Sequence, residues 1–150
     1  MLYIGSDHRG FELKQKLVKY LDSLDIECTD LGYSEFLEED DYNDITEDLV
    51  KRVRLENYHL GILLCGSGVG VDIVANKHAL IRSALCFNVE TAKRARQHEA
   101  ANIMCLPADF LDFDTAKEMV LAFIKTPFSF EEKHVKRLNK ILKLEANGLA

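Results

Sequence analysis

The chain has 150 residues, the length of one domain, with 47% apolar and 29% charged residues, as is ordinary for a globular protein. Its 25 acidic and 19 basic residues give a net charge of -6, which argues against nonspecific binding to nucleic acid or to membrane surfaces. The segment 20–50 holds twelve acids and no base, so the rest of the chain is net +6 and leaves room for a site that binds a small anion.

Short apolar runs alternate along the chain with segments of helical periodicity. Five runs are predicted to be strands: 2–4, 26–29, 60–65, 83–86 and 103–106. Six segments are predicted to be helices: 13–24, 45–53, about 70–76, 89–98, 116–124 and about 131–144. In the first helix we expect Lys14, Lys16 and Lys19 to face outward. The acidic segment 35–44 has no period and is predicted to be a loop.

This alternation predicts an α/β fold, a Rossmann-like three-layer domain with a five-stranded parallel sheet flanked by helices. We expect one domain over residues 1–150, closed by the basic helix at about 131–144. Ligands bind such folds at the carboxyl ends of the strands. Three segments are expected there: 6–8, 65–70 and the region around His98.

Targeting and metal-binding signals are weak in this sequence. No apolar run approaches the ~18–20 residues of a membrane span, and charges occupy the place of a signal peptide's apolar core. We therefore expect a cytoplasmic protein. The four cysteines are widely spaced without a Cys-x-x-Cys pair, which indicates neither a zinc site nor a disulfide framework.

The most informative segment is Cys65-Gly-Ser-Gly-Val-Gly70, which follows the third predicted strand. Its glycines allow a sharp turn, and the N–H groups at a helix start can bind an anion. It is neither a P-loop nor a dinucleotide-binding motif, and a glycine turn can also be purely structural. The cysteine at position 65 favours a functional interpretation of this turn, because a helix N-terminus promotes the thiolate form that serves as base or nucleophile. The alternative, a buried core thiol, fits the three remaining cysteines better: Cys28, Cys86 and Cys105.

Asp7 and two of the histidines are further candidates for binding or catalysis. Asp7 can cap the helix that follows the first strand, and His8 can hydrogen-bond a phosphate or a sugar hydroxyl. His98 ends a helix, a position that the helix dipole favours for histidine, so its presence there does not by itself indicate a function. His59 and His78 are predicted to be solvated surface residues.

The last helix is strongly basic, with its cations at 133, 134, 136, 137 and 140. Lys133 and Arg137 are four residues apart and share a face. This face is either simply solvated or a phosphate-binding surface, and both interpretations stay open on these residues alone.

Taken in order, these motifs resemble those of the type B ribose-5-phosphate isomerases, within the ribose/galactose-6-phosphate isomerase family. The matching blocks span nearly the whole chain: 5–14, 65–70, 75–77, 81–84, 96–98 with Asn102, and 133–134 with Arg137. The resemblance implies an aldose–ketose isomerase that converts D-ribose 5-phosphate and D-ribulose 5-phosphate through an enediolate, in the pentose phosphate pathway. It also implies a homodimer with sites between subunits, with a tetramer as the alternative, and neither a metal nor an organic cofactor.

The resemblance also implies roles for individual residues. Cys65, Ser67 and His98 are the implied catalytic residues, with Cys65 as the base between C2 and C1 and His98 opening the furanose ring. The implied oxyanion donors are the N–H groups of Gly66, Gly68, Val69 and Gly70. Asp7 is expected to bind sugar hydroxyls, and the implied phosphate ligands are His8, Lys133 and Arg137.

Four positions depart from the family pattern. Glu99 stands where type B enzymes usually have an asparagine that contacts the sugar, so it is the expected substrate ligand at that position. Asp109 stands in place of an expected arginine. Lys133 replaces the first arginine of the C-terminal pair, which keeps the charge without the bidentate geometry. Asn43 replaces a proline. These changes leave open a six-carbon substrate, galactose 6-phosphate or allose 6-phosphate, and a non-catalytic sugar-phosphate binder is a third alternative.

Overall fold

The computed structural model describes residues 1–32 and 40–148. Within them, five strands form one all-parallel sheet in the order β2-β1-β3-β5-β4, which confirms the predicted fold class. The strands are β1 Leu2–Ser6, β2 Cys28–Asp30, β3 Leu60–Cys65, β4 Ser83–Leu85 and β5 Ile103–Pro107. The second strand begins two residues later than predicted.

Six α-helices connect and flank the strands in the described residues. They are α1 Phe11–Ser23, α2 Tyr42–Val53, α3 Val69–Ala75, α4 Val89–Glu99, α5 Phe113–Lys125 and α6 Glu132–Ala146. The prediction of a loop over 35–44 is wrong for its last three residues, because the Asp41 carboxylate accepts the Asn43 N–H at 2.9 Å and caps α2. Residues 35–39 of that prediction lie outside the described residues.

The sheet has helices on both faces, as the three-layer prediction requires. Apolar side chains of α1, α4 and α5 pack on one face, and those of α2 and α3 pack on the other. The central strand β3 contributes Ile62, Leu63 and Leu64, all fully buried, alternately to the two cores. Its continuous apolar sequence follows from this burial on both faces.

Lys14 is an exception to the predicted outward lysines. Its side chain is fully buried, and its ammonium group lies 2.6 Å from the Asp30 carboxylate at the end of β2. The same carboxylate oxygen accepts the Gly32 N–H at 2.9 Å. Lys14 lies next to Leu13 on the side of α1 that packs on the sheet, and the ion pair compensates its burial. Lys16 and Lys19 are exposed, as expected.

His59 is also buried, so its prediction as a solvated residue is wrong. Its ring makes edge contacts with Tyr3 and Tyr58, and its Nδ1 lies 3.0 Å from the Arg52 carbonyl oxygen. His78 is half-buried rather than fully solvated. The contacts of His59 explain its burial by packing alone.

The strand order defines where a ligand can approach the sheet. The chain leaves β1 toward β2 through α1 on one face, and leaves β3 toward β4 through α3 on the other. A crevice opens at the carboxyl ends of adjacent strands whose connections diverge in this way. That crevice lies between the ends of β1 and β3, where the Asp7 N–H donates to the Leu64 carbonyl at 3.2 Å.

Candidate active site

Cys65 is the last residue of β3 and stands at this crevice. Its thiol is buried, and its Sγ accepts the Gly68 N–H at a donor–sulfur distance of 3.1 Å. Gly68 adopts a left-handed conformation with φ of 72°, and a Cβ there would lie 2.5 Å from Leu85 Cδ1. Glycine is therefore required at 68, both for the turn and for close packing. A hydrogen bond of this kind is stronger when the sulfur carries a negative charge.

The rest of the loop is ordered by further local contacts. Ser67 Oγ accepts the Val69 N–H at 3.3 Å, and the Gly66 carbonyl accepts the Asp109 N–H at 3.0 Å. The ring of Tyr42 packs directly against Gly70, where a Cβ would lie 2.8 Å from the ring. The predicted glycine loop is thus present at the carboxyl end of β3, with two of its N–H groups directed at its own Cys65 and Ser67.

Asp7 and His8 follow β1 on the other side of the crevice. The Asp7 carboxylate accepts the N–H groups of Arg9 and Gly10, both at 3.0 Å, so its predicted capping role is confirmed for the short 3-10 turn His8–Gly10. Burial raises the pKa of Asp7, opposed by the Gly10 N–H. His8 Nδ1 lies 2.6 Å from the Asp40 carboxylate, which also accepts the His8 N–H at 2.9 Å.

A guanidinium–carboxylate pair lies above the glycine loop. Asp109 Oδ2 accepts hydrogen bonds from Arg9 Nε at 3.1 Å and from Arg9 Nη2 at 2.6 Å. A Cβ placed on Gly66 would lie 2.7 Å from Arg9 Nε and 2.8 Å from Asp109 Oδ2. The loop therefore passes closely beneath this pair, which joins the turns that follow β1 and β5.

The other cysteines differ from Cys65 in their surroundings. Burial raises the pKa of Cys28 to about 12 and that of Cys86 to about 11. Cys105 is fully buried, its Sγ lies 3.1 Å from Ser83 Oγ, and burial raises its pKa well above the usual value. Cys86 and Cys105 are core thiols as predicted, whereas Cys28 is only half-buried.

His98 lies in a second cluster, at the opposite edge of the sheet. Its ring stacks on that of His134, with centroids 4.3 Å apart and an interplanar angle of 28°. His134 is buried, and its Nδ1 lies 2.6 Å from Ser129 Oγ. Burial, and next the nearby His98, lower the pKa of His134.

The prediction that His98 lies at the carboxyl end of a strand is wrong. Helix α4 runs back from the end of β4 to the start of β5, so its last residues lie at the amino edge. The Asn102 carbonyl, just after this helix, accepts the Gly61 N–H at the start of β3 at 2.9 Å. Four residues of strand, about 13 Å, separate Gly61 from Cys65. One chain therefore does not bring His98 to Cys65.

The remaining expected substrate ligands belong to this second cluster. Glu99 is exposed at the end of α4 beside a cavity of about 340 Å³ that α6 also lines. Lys133 and Arg137 are exposed on the first turns of α6, and Lys133 Nζ lies 2.9 Å from the Glu131 carboxylate. The structure thus divides the predicted site residues into two groups: the Cys65 cluster, with Asp7, His8 and residues 65–70, and the His98 cluster, with Glu99, Lys133 and Arg137.

Four polar residues have partners that the sequence did not indicate. Asp40 is one of twelve acids in its segment, and nothing local distinguishes the one that meets His8. Arg9 and Asp109 are 100 residues apart, so their pairing has no local signal. In the sequence His134 is one of a basic series, and its position next to Lys133 places it on the same helix without indicating its contact with His98.

Over residues 1–32 and 40–148, no group of three or more histidine, cysteine or acidic side chains is arranged to hold a metal ion. In this part of the chain, no helix combines the length and the apolar composition needed to cross a membrane.

Comparison with known proteins adds an independent finding. A family model described as Ribose/Galactose Isomerase matches residues 2–141. A probable ribose-5-phosphate isomerase B from Mycoplasma pneumoniae is 39% identical over 144 residues, covering 96% of this chain and 94% of that protein. A ribose-5-phosphate isomerase B from Mycobacterium tuberculosis is 34% identical, with coverages of 96% and 89%.

A solved structure extends the similarity to three dimensions. Ribose-5-phosphate isomerase B from Mycoplasma genitalium, crystallised with bound ribulose-5-phosphate, matches with a TM-score of 0.93 at 35% identity, over 98% of this chain and 97% of that one. Because the family model and these relatives cover nearly the whole chain, the protein belongs to the ribose/galactose isomerase family.

Proposed function

We propose that this protein is an aldose–ketose isomerase that interconverts D-ribose 5-phosphate and D-ribulose 5-phosphate through an enediolate. The observation that carries the proposal is the Cys65 thiol at the end of β3, held 3.1 Å from the Gly68 N–H beside Asp7 and His8. The relative from Mycoplasma genitalium, whose structure contains ribulose-5-phosphate, supports the choice of a five-carbon substrate.

In the proposed reaction Cys65 is the base. The proton on C2 passes to Sγ, the electron pair of the C–H bond forms the C1=C2 bond, and negative charge gathers on O1. Backbone N–H groups of Gly66–Gly70 stabilise that oxygen. Cys65 then returns the proton to C1, and the hydroxyl proton moves from O2 to O1, which completes the ketose. Asp7 binds sugar hydroxyls, and Ser67 orders the loop through its contact with the Val69 N–H.

The complete site requires a second copy of the chain. Ring opening and proton transfer act on adjacent atoms of one sugar, so their acid and base groups must lie close together. The separation of the Cys65 cluster from the His98 cluster supports a homodimer in which His98 of the partner subunit opens the ring. Glu99, Lys133 and Arg137 of the partner subunit accompany it, the last two as phosphate ligands with His8.

An apolar surface beside the loop is suited to this assembly. Val69 and Ile73 lie one turn apart on α3 and are 45% and 54% exposed. Exposed apolar groups adjoining a site are typical of an interface. The cysteines within the described residues are unpaired, which supports a reducing compartment such as the cytoplasm. The pathway assignment, non-oxidative pentose phosphate metabolism, follows from the proposed substrate.

A coupled assay with ribose 5-phosphate tests the function directly. Cys65→Ala should abolish turnover while substrate still binds, since the change removes the base and leaves the loop. Cys28→Ala, at a half-buried thiol outside the crevice, is the matched control and should retain activity. Isomerisation by Cys65→Ala at the wild-type rate contradicts the mechanism. Binding without exchange of the C2 proton in D₂O by the wild-type protein indicates a non-catalytic binder instead.

A six-carbon substrate is the second candidate. It is favoured by the acids Glu99 and Asp109, which differ from the usual type B residues. Comparison of kcat/KM for ribose 5-phosphate, allose 6-phosphate and galactose 6-phosphate separates the two. A higher value for either hexose phosphate replaces the five-carbon assignment.

A further inference from the structure

The Arg9–Asp109 pair occupies the mouth of the Cys65 cluster. Both side chains are partly exposed, 57% for Arg9 and 34% for Asp109. The pair is not an ordinary surface contact, because both groups approach Gly66 so closely that a Cβ there would lie within 3 Å of each. Arg9 is thus held at a defined place next to the residue that follows Cys65.

The position of Arg9 suits the far end of a phosphorylated sugar. Arg9 Nε lies 2.7 Å from the position that a Cβ on Gly66 would occupy. Adding the bonds that lead from this position through the backbone to Cys65 Sγ places the nitrogen within about 11 Å of the sulfur. Five bonds of about 1.5 Å separate C2 from the phosphorus of a pentose 5-phosphate, a reach of roughly 6 Å when extended. With C2 next to the sulfur, the phosphate can therefore reach a guanidinium at this distance.

The charges in the Cys65 cluster make Arg9 important for the binding of an anion. Within the described residues, the acidic, basic and histidine side chains that lie with Arg9 around the crevice are Asp7, His8, Asp40 and Asp109. Three of these four are carboxylic acids, and His8 is paired with Asp40. Arg9 is the one permanent cation among these five. A dianionic phosphate that approaches from this side therefore depends on Arg9 for compensation.

Arg9 also keeps donors for such a ligand. A guanidinium has five N–H donors in a rigid fork, and Asp109 accepts from two nitrogens through a single oxygen. Within the described residues the Arg9 side chain makes no other hydrogen bond, so about three donors stay available. Asp109 fixes the orientation of the fork in advance, which lowers the entropy lost on binding.

We propose that Arg9 is a phosphate-binding residue of the substrate site and that Asp109 positions its guanidinium. The proposal rests on the proposed function for the identity of the phosphorylated ligand. Arg9 contributes the contact from the Cys65 side of the site. Asp109 orients Arg9 while its own negative charge weakens anion binding, so the two residues of the pair act on affinity with opposite sign.

This opposition separates phosphate binding from a structural latch. If the pair only fastened the turn after β1 to the turn after β5, breaking it from either side would impair the site in the same direction. If Arg9 binds phosphate, Arg9→Ala weakens binding. Asp109→Asn keeps an oxygen acceptor for Arg9 and removes a negative charge, so it leaves binding equal or strengthens it.

The experiment measures KM and kcat for ribose 5-phosphate, and the dissociation constant of inorganic phosphate by titration calorimetry, for wild type, Arg9→Ala and Asp109→Asn. Arg52→Ala is the matched control, because Arg52 is 46% exposed and paired with a carboxylate on α2. We expect Arg9→Ala to raise KM and the phosphate dissociation constant about tenfold, with kcat changed less than about threefold. Asp109→Asn should lower both constants by up to about twofold or leave them unchanged.

Two results overturn the proposal. One is a phosphate dissociation constant for Arg9→Ala within about twofold of wild type, and the other is a rise of both constants in Asp109→Asn that parallels Arg9→Ala. Both variants alter exposed side chains, and thermal unfolding verifies that they fold. The calorimetric measurement does not depend on turnover. If the wild-type protein binds phosphate through Arg9 but does not isomerise ribose 5-phosphate, the proposed function fails and the role of Arg9 stands.

Discussion

Mixing two inactive variants tests whether the site is shared between subunits. Cys65→Ala removes the base from the Cys65 cluster, and His98→Ala removes the acid/base group from the His98 cluster. In a shared site, a heterodimer of the two variants has one site with both residues intact and one site with both replaced. In a site built from one chain, every site in the mixture keeps one lesion.

The expected magnitude follows from the geometry. Cys65 and the Gly61 end of β3, where the segment after His98 is hydrogen-bonded, are about 13 Å apart along the strand. Groups that act on adjacent sugar atoms must each lie within about 3 Å of them, so the two cannot serve one sugar from the same chain. Random exchange makes half of the dimers mixed, each with one of two sites intact, which restores about one quarter of wild-type activity.

Co-expression with two affinity tags isolates the mixed dimer, whose activity should be about one half of wild type. The control mixes Cys65→Ala with a chain that carries both substitutions, and no site is then complete. Recovery should be absent in that control. If isolated mixed dimers of the single variants are as inactive as their parents, Cys65 and His98 do not share a site across subunits and the reasoning is refuted.

Three further predictions concern other groups. Lys14→Met leaves the Asp30 carboxylate without its cation, and we expect urea denaturation to show a loss of about 2–3 kcal/mol in the free energy of unfolding. The loss is smaller than for a fully buried pair because Asp30 is partly exposed. An unchanged free energy of unfolding contradicts the idea that the ion pair compensates the burial of Lys14. In native protein at pH ~8, iodoacetamide should modify Cys65 first, and a Cys65→Ala protein that labels as fast contradicts this. The thiols with raised pKa should stay unmodified: Cys28, Cys86 and Cys105. Because burial and His98 lower the pKa of His134 below its ordinary 6.5, the unfolded chain binds the proton more readily, so stability should fall as pH drops through and below 6.5. His134→Asn should reduce that dependence in urea denaturation at several pH values, and an unaltered dependence assigns it to other groups.

The fold and the glycine loop could be predicted because their signals are local. An apolar run such as 60–65 followed by clustered glycines indicates a buried strand and a tight turn without knowledge of the rest of the chain. Asp7 was recognisable for the same reason, since its capping partners are only two and three residues away. Element boundaries moved where a cap, such as Asp41 before α2, was not recognised.

Pairings across the chain could not be predicted in this way. Lys14 was expected at the surface from its charge, and only the carboxylate of Asp30, supplied by a neighbouring strand, makes its burial tolerable. Arg9 and Asp109 meet through turns that follow different strands. The error on His98 is of another kind. A helix that connects two parallel strands must end at the amino edge of the sheet, so the predicted parallel sheet was already enough to place the end of α4 at that edge.

The hydrogen bond from the Gly68 N–H to Cys65 Sγ has a consequence for the timing of the reaction. One donor cannot serve two acceptors fully at once. In the resting protein the Gly68 N–H donates to the Cys65 sulfur. In the proposed mechanism Sγ takes the carbon-bound proton, and the neutral thiol that results is a weak acceptor. The donor is then released at the moment when charge appears on the substrate oxygen, so a single amide follows the negative charge from sulfur to oxygen, and back again when the proton returns to carbon.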